Sequence, residues 1–164
     1  MTTAIYPGSF DPLTFGHIDI LERSVRLFEH VVIAILTNSQ KAPLFTIEER
    51  LAMVRAVVRP KFPDVEIEVD EFHGLLVDYA RHKNAQVIVR GIRAVTDYEY
   101  ELQMALMNRR LAPGIETVFM MPAENYSYLS SHLVKEIAGH SGSITGLVPE
   151  LVEKQLKAKF KKHS

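Results

Sequence analysis

The sequence predicts an α/β fold, a doubly wound sheet of about five parallel strands with helices on both faces. Three observations carry that prediction. Apolar, β-branched runs such as "HVVIAIL" (30–36) and "AQVIVRG" (85–91) read as strands buried on both sides. Amphipathic stretches of helix length separate them, as crossovers between parallel neighbours require. No internal repeat, low-complexity linker or composition break interrupts the alternation, so one domain is expected over residues 1–164. The pattern is Rossmann-like, and such sheets bind ligands beyond the carboxyl ends of their strands.

The elements follow in order. A first strand at 3–6 leads through "PGSFDPLTFG" (7–16) into a helix that begins near residue 16. Along that helix Ile18, Leu21, Val25 and Phe28 recur at three- and four-residue steps, giving one buried stripe. The run at 30–36 is the second strand. "TIEERLAMVRAVV" (46–58) is a helix opened by a capping box, Thr46 with Glu49. "VEIEV" (65–69) alternates like a strand, "LLVDYARHK" (75–83) is a short helix, and 85–91 is the fourth strand. "DYEYELQMALMNRRL" (97–111) is a longer helix whose methionines suit either a subunit contact or plain core. "IETVFMM" (115–121) is the fifth strand, "SSHLVKEIAG" (130–139) a helix closed by Gly139, and a last helix opens at Pro149. The basic tail "KAKFKKHS" reads as a solvated end rather than a binding patch.

Composition excludes several classes. The formal net charge is −1, so no global basic field recruits nucleic acid or a membrane surface. With no cysteine there is no disulfide, thiolate catalysis or cysteine-ligated metal. "VVIAIL" (31–36) is far too short to span a bilayer, and "MTTAIYPG" lacks the layout of a signal peptide, so a cytoplasmic address is expected. No cluster of His, Asp and Glu has metal-ligand spacing, so no metal-ligating residue is expected.

The residues at the strand ends carry the chemistry. After the first strand come Pro7, Gly8, Ser9, Phe10 and Asp11, then "TFGH" (14–17). Glycines let main chain approach a bulky anion, and a helix start presents unpaired N–H groups. His17 adds a donor to the same anion; the plain alternative is a turn whose histidine caps the helix. Lys41 stands in the polar loop after the second strand, where a single lysine is commonly just solvated. "RGIR" ends the fourth strand, with Arg90 and Arg93 flanking Gly91 and Ile92. Guanidinium forks suit phosphate oxygens, the alternative being a surface pair. Ser130 and Ser131 open a helix after the fifth strand and form a further anion site there. Tyr126 and Tyr128 flank a flat base or pack in the core. There is no Walker loop and no G-x-G-x-x-G, so the site suits a polyphosphate held by side chains and helix ends.

"TFGH" is a form of the T/H-x-G-H signature of the nucleotidyltransferases. More narrowly, "YPGSFDPLTFGHIDI", "LFTIEER", "GLLVDYAR", "RGIRAVTDYEYELQMALMNRRL" and "YSYLSSHLVKEIA" resemble the bacterial phosphopantetheine adenylyltransferase family, in order along residues 4–150. The resemblance implies adenylyl transfer from ATP to 4'-phosphopantetheine, giving dephospho-coenzyme A and pyrophosphate, with Mg2+ held mainly through the ATP phosphates. It implies Ser9 touching both substrates, Phe10 lining the ATP site, and His17 stabilising the transition state. It places Lys41, Leu76 and Arg90 on the acceptor, with Gly91, Ile92, Arg93 and Glu101 on ATP. The segment Tyr126, Ser127, Tyr128, Leu129, Ser130, Ser131 and His132 would cover the adenine and phosphate side. It also implies a homohexamer and coenzyme A as a feedback inhibitor. His132 departs from the family's third serine. The catalytic roles fall to His17, Lys41 and Arg93. Other nucleotidyltransferases, acting on nicotinamide mononucleotide or with CTP, share the scaffold, and a non-catalytic nucleotide sensor is the alternative of another class.

Overall fold

The computed structural model describes residues 1–37 and 42–161, and in these five strands form one parallel sheet. The strands are β1 (Thr3–Gly8), β2 (His30–Leu36), β3 (Ile67–Phe72), β4 (Val87–Gly91) and β5 (Glu116–Met120), ordered β3-β2-β1-β4-β5. The helices are α1 (Phe15–Leu27), α2 (Ile47–Lys61), α3 (Leu76–His82), α4 (Val95–Leu111), α5 (Ser131–Gly139) and α6 (Glu150–Lys161). The expected α/β class and doubly wound parallel sheet are therefore present.

Alternate side chains of the strands feed two separate cores. Tyr6, Ile33 and Val89 pack with Leu21, Met53, Val134 and Leu156, which come from α1, α2, α5 and α6. Ile5, Val32 and Ile88 meet Val77 and Ala80 of α3 and Ala112 at the end of α4 on the other face. Each such aliphatic side chain contributes about 1.5–3 kcal/mol by leaving water. Strands buried on both faces must be apolar throughout, which is why 30–36 reads as an unbroken run.

The boundaries move where pairing overrides local pattern. β1 runs on to Gly8 because its pairing with β2 continues to Gly8 opposite Ile35. β3 lies at Ile67–Phe72 rather than 65–69, since its register on β2 starts at Val31 opposite Ile67 and ends at Leu36 opposite Phe72. The helix at the Thr46 capping box starts as expected: Thr46 and Glu49 exchange side-chain and main-chain bonds, each 3.1 Å. α5 is capped by Ser130 and includes Gly139, and His140 is its closing residue. On α4, Leu102, Met104, Leu106 and Met107 are exposed, so these methionines are not core of this chain. No helix among the described residues is long and apolar enough to cross a membrane.

The order reverses at β1, whose neighbours β2 and β4 lead to opposite edges. A crevice opens at such a switch point. Arg50 of α2 braces its floor: only 2% exposed, it donates to the carbonyls of Phe45 (3.2 Å), Ser9 (2.8 Å) and Leu36 (3.0 Å). One guanidinium thus ties the ends of β1 and β2 to the start of α2. Arg50→Met keeps the length and strands three buried carbonyls. We expect it to lower stability by about 3 kcal/mol in urea melts; a loss below about 1 kcal/mol would mean that the carbonyls find other donors.

Candidate active site

Beyond the ends of β1 and β4 lies a cleft of about 300 Å3. The chain after β1 brings Ser9 and Phe10 to it, and α1 brings His17. Arg90 and Gly91 reach it from the end of β4, Arg93 from the turn that follows, and Glu101 from α4. Leu129, Ser130 and Ser131 close it at the approach to α5. Residues scattered over the sequence at the strand ends thus share one rim.

His17 lines the cleft and also takes the capping place that the plainer reading gave it. Thr14 is the N-cap of α1, and His17 completes a capping box with it. The imidazole Nδ1 accepts the Thr14 main-chain N–H at 3.0 Å, with the Thr14 hydroxyl 3.2 Å away. An acceptor nitrogen carries no proton, so the neutral ring holds its proton on Nε2. Burial, and then the nearby Arg93 charge, lower the imidazole from its ordinary 6.5 to about 4. The ring is therefore a neutral donor with its tautomer fixed by the cap.

The sign of the linkage follows. Between 6.5 and about 4 the unfolded chain takes up a proton that the folded imidazole does not. This contribution leaves stability unchanged above the upper value, erodes it as pH falls, and is complete below the lower one. Nitrogen-15 spectra of the His17 ring should show protonated Nε2 and bare Nδ1 from about pH 8 down to about pH 5. A titration near the ordinary histidine value would show that the ring is hydrated rather than held dry.

Phe10 shapes the same corner. Its ring is 2% exposed, with its centroid 4.8 Å from that of His17, and Tyr6 meets it edge-on at 5.4 Å. The residue has φ +48°, a left-handed conformation that non-glycine residues adopt at a cost. Gly8 permits this packing, because a Cβ there would lie 3.1 Å from the Phe10 ring. Phe10 thus borders the cleft chiefly as the wall behind the imidazole.

The two arginines differ. Arg90 forks onto Glu101, with Nε to Oε2 at 2.9 Å and Nη2 to Oε1 at 2.6 Å. Burial works against its charge, and the Glu101 pairing more than offsets this, so its pKa is raised. The strand-ending arginine therefore has a protein partner, and Glu101, expected on the ATP side, is the group that aims it. Arg93 donates to the Leu129 carbonyl at 3.0 Å, and its Nε lies 3.5 Å from Asp97.

At α5 both serine hydroxyls serve the protein. Ser130 Oγ accepts the Leu133 N–H at 3.1 Å, and Ser131 Oγ donates to the Pro12 carbonyl at 2.7 Å. What this helix start can offer an anion is its first-turn N–H groups and the Ser130 O–H, since accepting from Leu133 does not use that proton, whereas the Ser131 O–H is directed to Pro12. Six other expected positions do not line the cleft. Tyr126 packs on Phe15 with centroids 6.2 Å apart, Ser127 Oγ donates to the Glu124 carbonyl, and Tyr128 is exposed. The His132 side chain is 89% exposed beside Glu136, so the imidazole stands apart from the cleft. Ile92 reaches the neighbouring strand through its N–H, bonded to the Met120 carbonyl at 3.0 Å, and Leu76 opens α3. Lys41 lies outside the described residues.

Sequence reading missed Asp97 and Pro122, which line the cleft, and the brace of Arg50. Asp97 follows Arg93 by one helical turn, a spacing that signals an ion pair. Nothing local marks Pro122.

Fold and rim together define a nucleotidyltransferase-type protein, and the cytidylyltransferase-like family model matches residues 5–137. Phosphopantetheine adenylyltransferase from Alkaliphilus metalliredigens is 53% identical over 152 residues, covering 93% of this chain and 95% of that protein. The proteins of the same name from Carboxydothermus hydrogenoformans and Gloeobacter violaceus are 52% and 53% identical, covering 99% and 96% of this chain and 98% and 96% of their own. The chain belongs to the phosphopantetheine adenylyltransferase family. Among solved structures, the lipopolysaccharide core biosynthesis protein from Thermoplasma volcanium shares the fold, with TM-score 0.55 and 22% identity over 75% of this chain and 97% of that one.

Proposed function

We propose that this chain transfers the adenylyl group of ATP to 4'-phosphopantetheine, giving dephospho-coenzyme A and pyrophosphate in coenzyme A synthesis. The observation that carries the reading is a neutral imidazole of fixed tautomer facing the same cleft as two guanidinium groups. The acceptor phosphate attacks the α-phosphorus in line, one P–O bond forms as the bond to pyrophosphate breaks, and no proton need move. A phosphate monoester is already mostly a dianion at neutral pH, its second pKa being about 6. What the protein must do is align two anions that repel each other and meet charge building on the phosphoryl oxygens.

His17 Nε2–H donates to the α-phosphoryl oxygens. Arg90, aimed by Glu101, and Lys41 hold the acceptor phosphate, with Leu76 beside the acceptor chain. Arg93 and the first turn of α5 hold the β and γ phosphates. Among the described residues no group of three or more His, Asp or Glu is arranged to hold a metal. Of the cleft carboxylates, Glu101 is paired with Arg90 and Asp97 with Arg93, which suits a cation carried by the nucleotide rather than a resident one. Mg2+ bound to the triphosphate would neutralise charge on the leaving pyrophosphate. The reaction belongs in the cytoplasm, where a chain without cysteine needs no oxidising compartment.

The exposed Leu102, Leu106 and Met107 of α4 form the surface on which copies of the chain meet in a homohexamer. Coenzyme A, sharing the acceptor's pantetheine arm, competes for the cleft as a feedback inhibitor. The deciding experiment incubates the protein with Mg-ATP and 4'-phosphopantetheine and looks for dephospho-coenzyme A, with parallel arms using nicotinamide mononucleotide, and CTP with a phosphorylated alcohol. Product only in a parallel arm would reassign the acceptor. ATP binding without product in any arm would leave a sensor.

A further inference from the structure

Asp11 stands in the turn between β1 and α1, 5% exposed, with three donors on one carboxylate. Oδ1 accepts the Phe45 N–H at 2.9 Å. Oδ2 accepts the Leu44 N–H at 2.9 Å and the ammonium of Lys135 at 2.9 Å. The partners come from two segments far apart in the chain. Leu44 and Phe45 lead into α2, and in sequence Leu44 follows Lys41 by three residues. Lys135 belongs to α5, whose start closes the nucleotide side. The neighbouring Pro12 carbonyl takes the Ser131 hydroxyl, so α5 is tied to this turn twice.

We propose that Asp11 is a positioning residue that couples the acceptor and nucleotide sides of the site: one carboxylate fixes the segment leading into α2 and, through Lys135, the helix that receives the triphosphate. Its kinetic consequences rest on the adenylyl-transfer reading. The geometry favours a brace over a catalytic group, because all three donors are protein and the carboxylate is turned away from solvent. A buried carboxylate with this donor set is also costly to lose in part, since each N–H left behind has no water to turn to.

The test uses two variants that separate the arms. Asp11→Asn keeps the shape but cancels the charge, and its amide presents N–H to donors. It should raise the KM for phosphopantetheine and the Kd for ATP by about tenfold each, and speed hydrogen exchange at the Leu44 and Phe45 amides by at least about tenfold. Lys135→Met releases only α5. It should weaken ATP binding by about tenfold while leaving the acceptor KM and exchange at Leu44 and Phe45 within about twofold of the parent. Asp11→Glu should recover part of the lost ATP affinity. Asp11→Asn that lowers the melting temperature while moving neither affinity would reduce Asp11 to a stabilising contact and overturn the proposal; Lys135→Met that loosens both sides equally would overturn the division of arms. Exchange and ATP titration need no acceptor, so a parent protein that failed to turn over would sink the reaction and still leave these readouts to judge the brace.

Discussion

His17→Ala should lower kcat by about a hundredfold to a thousandfold while changing the ATP Kd by less than about threefold. The asymmetry follows from what the ring does. Its donor is one of several around the triphosphate, so the ground state hardly notices the loss. On the proposed reading the α-phosphoryl oxygens gain charge only as the acceptor arrives, and the Nε2–H whose tautomer the Thr14 cap fixes would then meet them. The same substitution removes the His17 arm of the α1 capping box, which costs about 1 kcal/mol. It also removes a ring held neutral against its ordinary preference, which matters only at acid pH. Melting curves at neutral pH should therefore show a small loss beside a large kinetic one. Equal losses in affinity and turnover would mean that His17 binds ATP rather than its transition state.

Arg90→Ala should damage both stability and turnover. Glu101 is nearly buried, and the fork from Arg90 is its charge partner. Removing one member of such a pair leaves the other charge stranded, at about 3 kcal/mol, the lower end of the range for buried pairs because the Arg90 side chain is 32% exposed. The stranded carboxylate then faces two incoming phosphates, so kcat/KM for the acceptor should fall by at least about a hundredfold. Arg90→Lys restores the charge but not the fork, and should recover stability better than turnover. In the double variant Arg90→Ala with Glu101→Gln, stability should return while activity does not. Recovery of activity in that variant would show that Arg90 serves Glu101 alone and holds no acceptor.

The contrast between these residues shows what a single sequence can convey. Position along a strand was legible: 30–36 and 85–91 are continuous and β-branched because both faces are covered, and a parallel sheet sends its functional groups to the strand ends. His17, Arg90, Arg93 and Ser130 were found that way. The bounds of β3 were not, since they depend on which residues of β2 it meets. Nor were the partners. Glu101 reaches Arg90 across eleven residues, and Lys135 reaches Asp11 across 124, and no local spacing encodes either meeting. The serine hydroxyls show the subtler limit: a helix start at Ser130 is readable, but that the Ser131 O–H is directed to the protein depends on where Pro12 lies. Nothing in the local sequence of the α2 helix marks Arg50 as a residue that the fold buries.

The central placement of β1 bears on how the chain is made. Residues 3–8 leave the ribosome before the other four strands, and β2 soon shields one side of them. The other side waits for Val87 and Ile88, some eighty residues later, to pair with Ala4 and Ile5. Throughout that interval the nascent protein presents an open, largely apolar strand with unpaired main-chain groups on one edge, the kind of surface that recruits stray β-partners. Slow translation between β2 and β4 would prolong this exposure, and a chain truncated before β4 should depend on a holding chaperone far more than one cut after it.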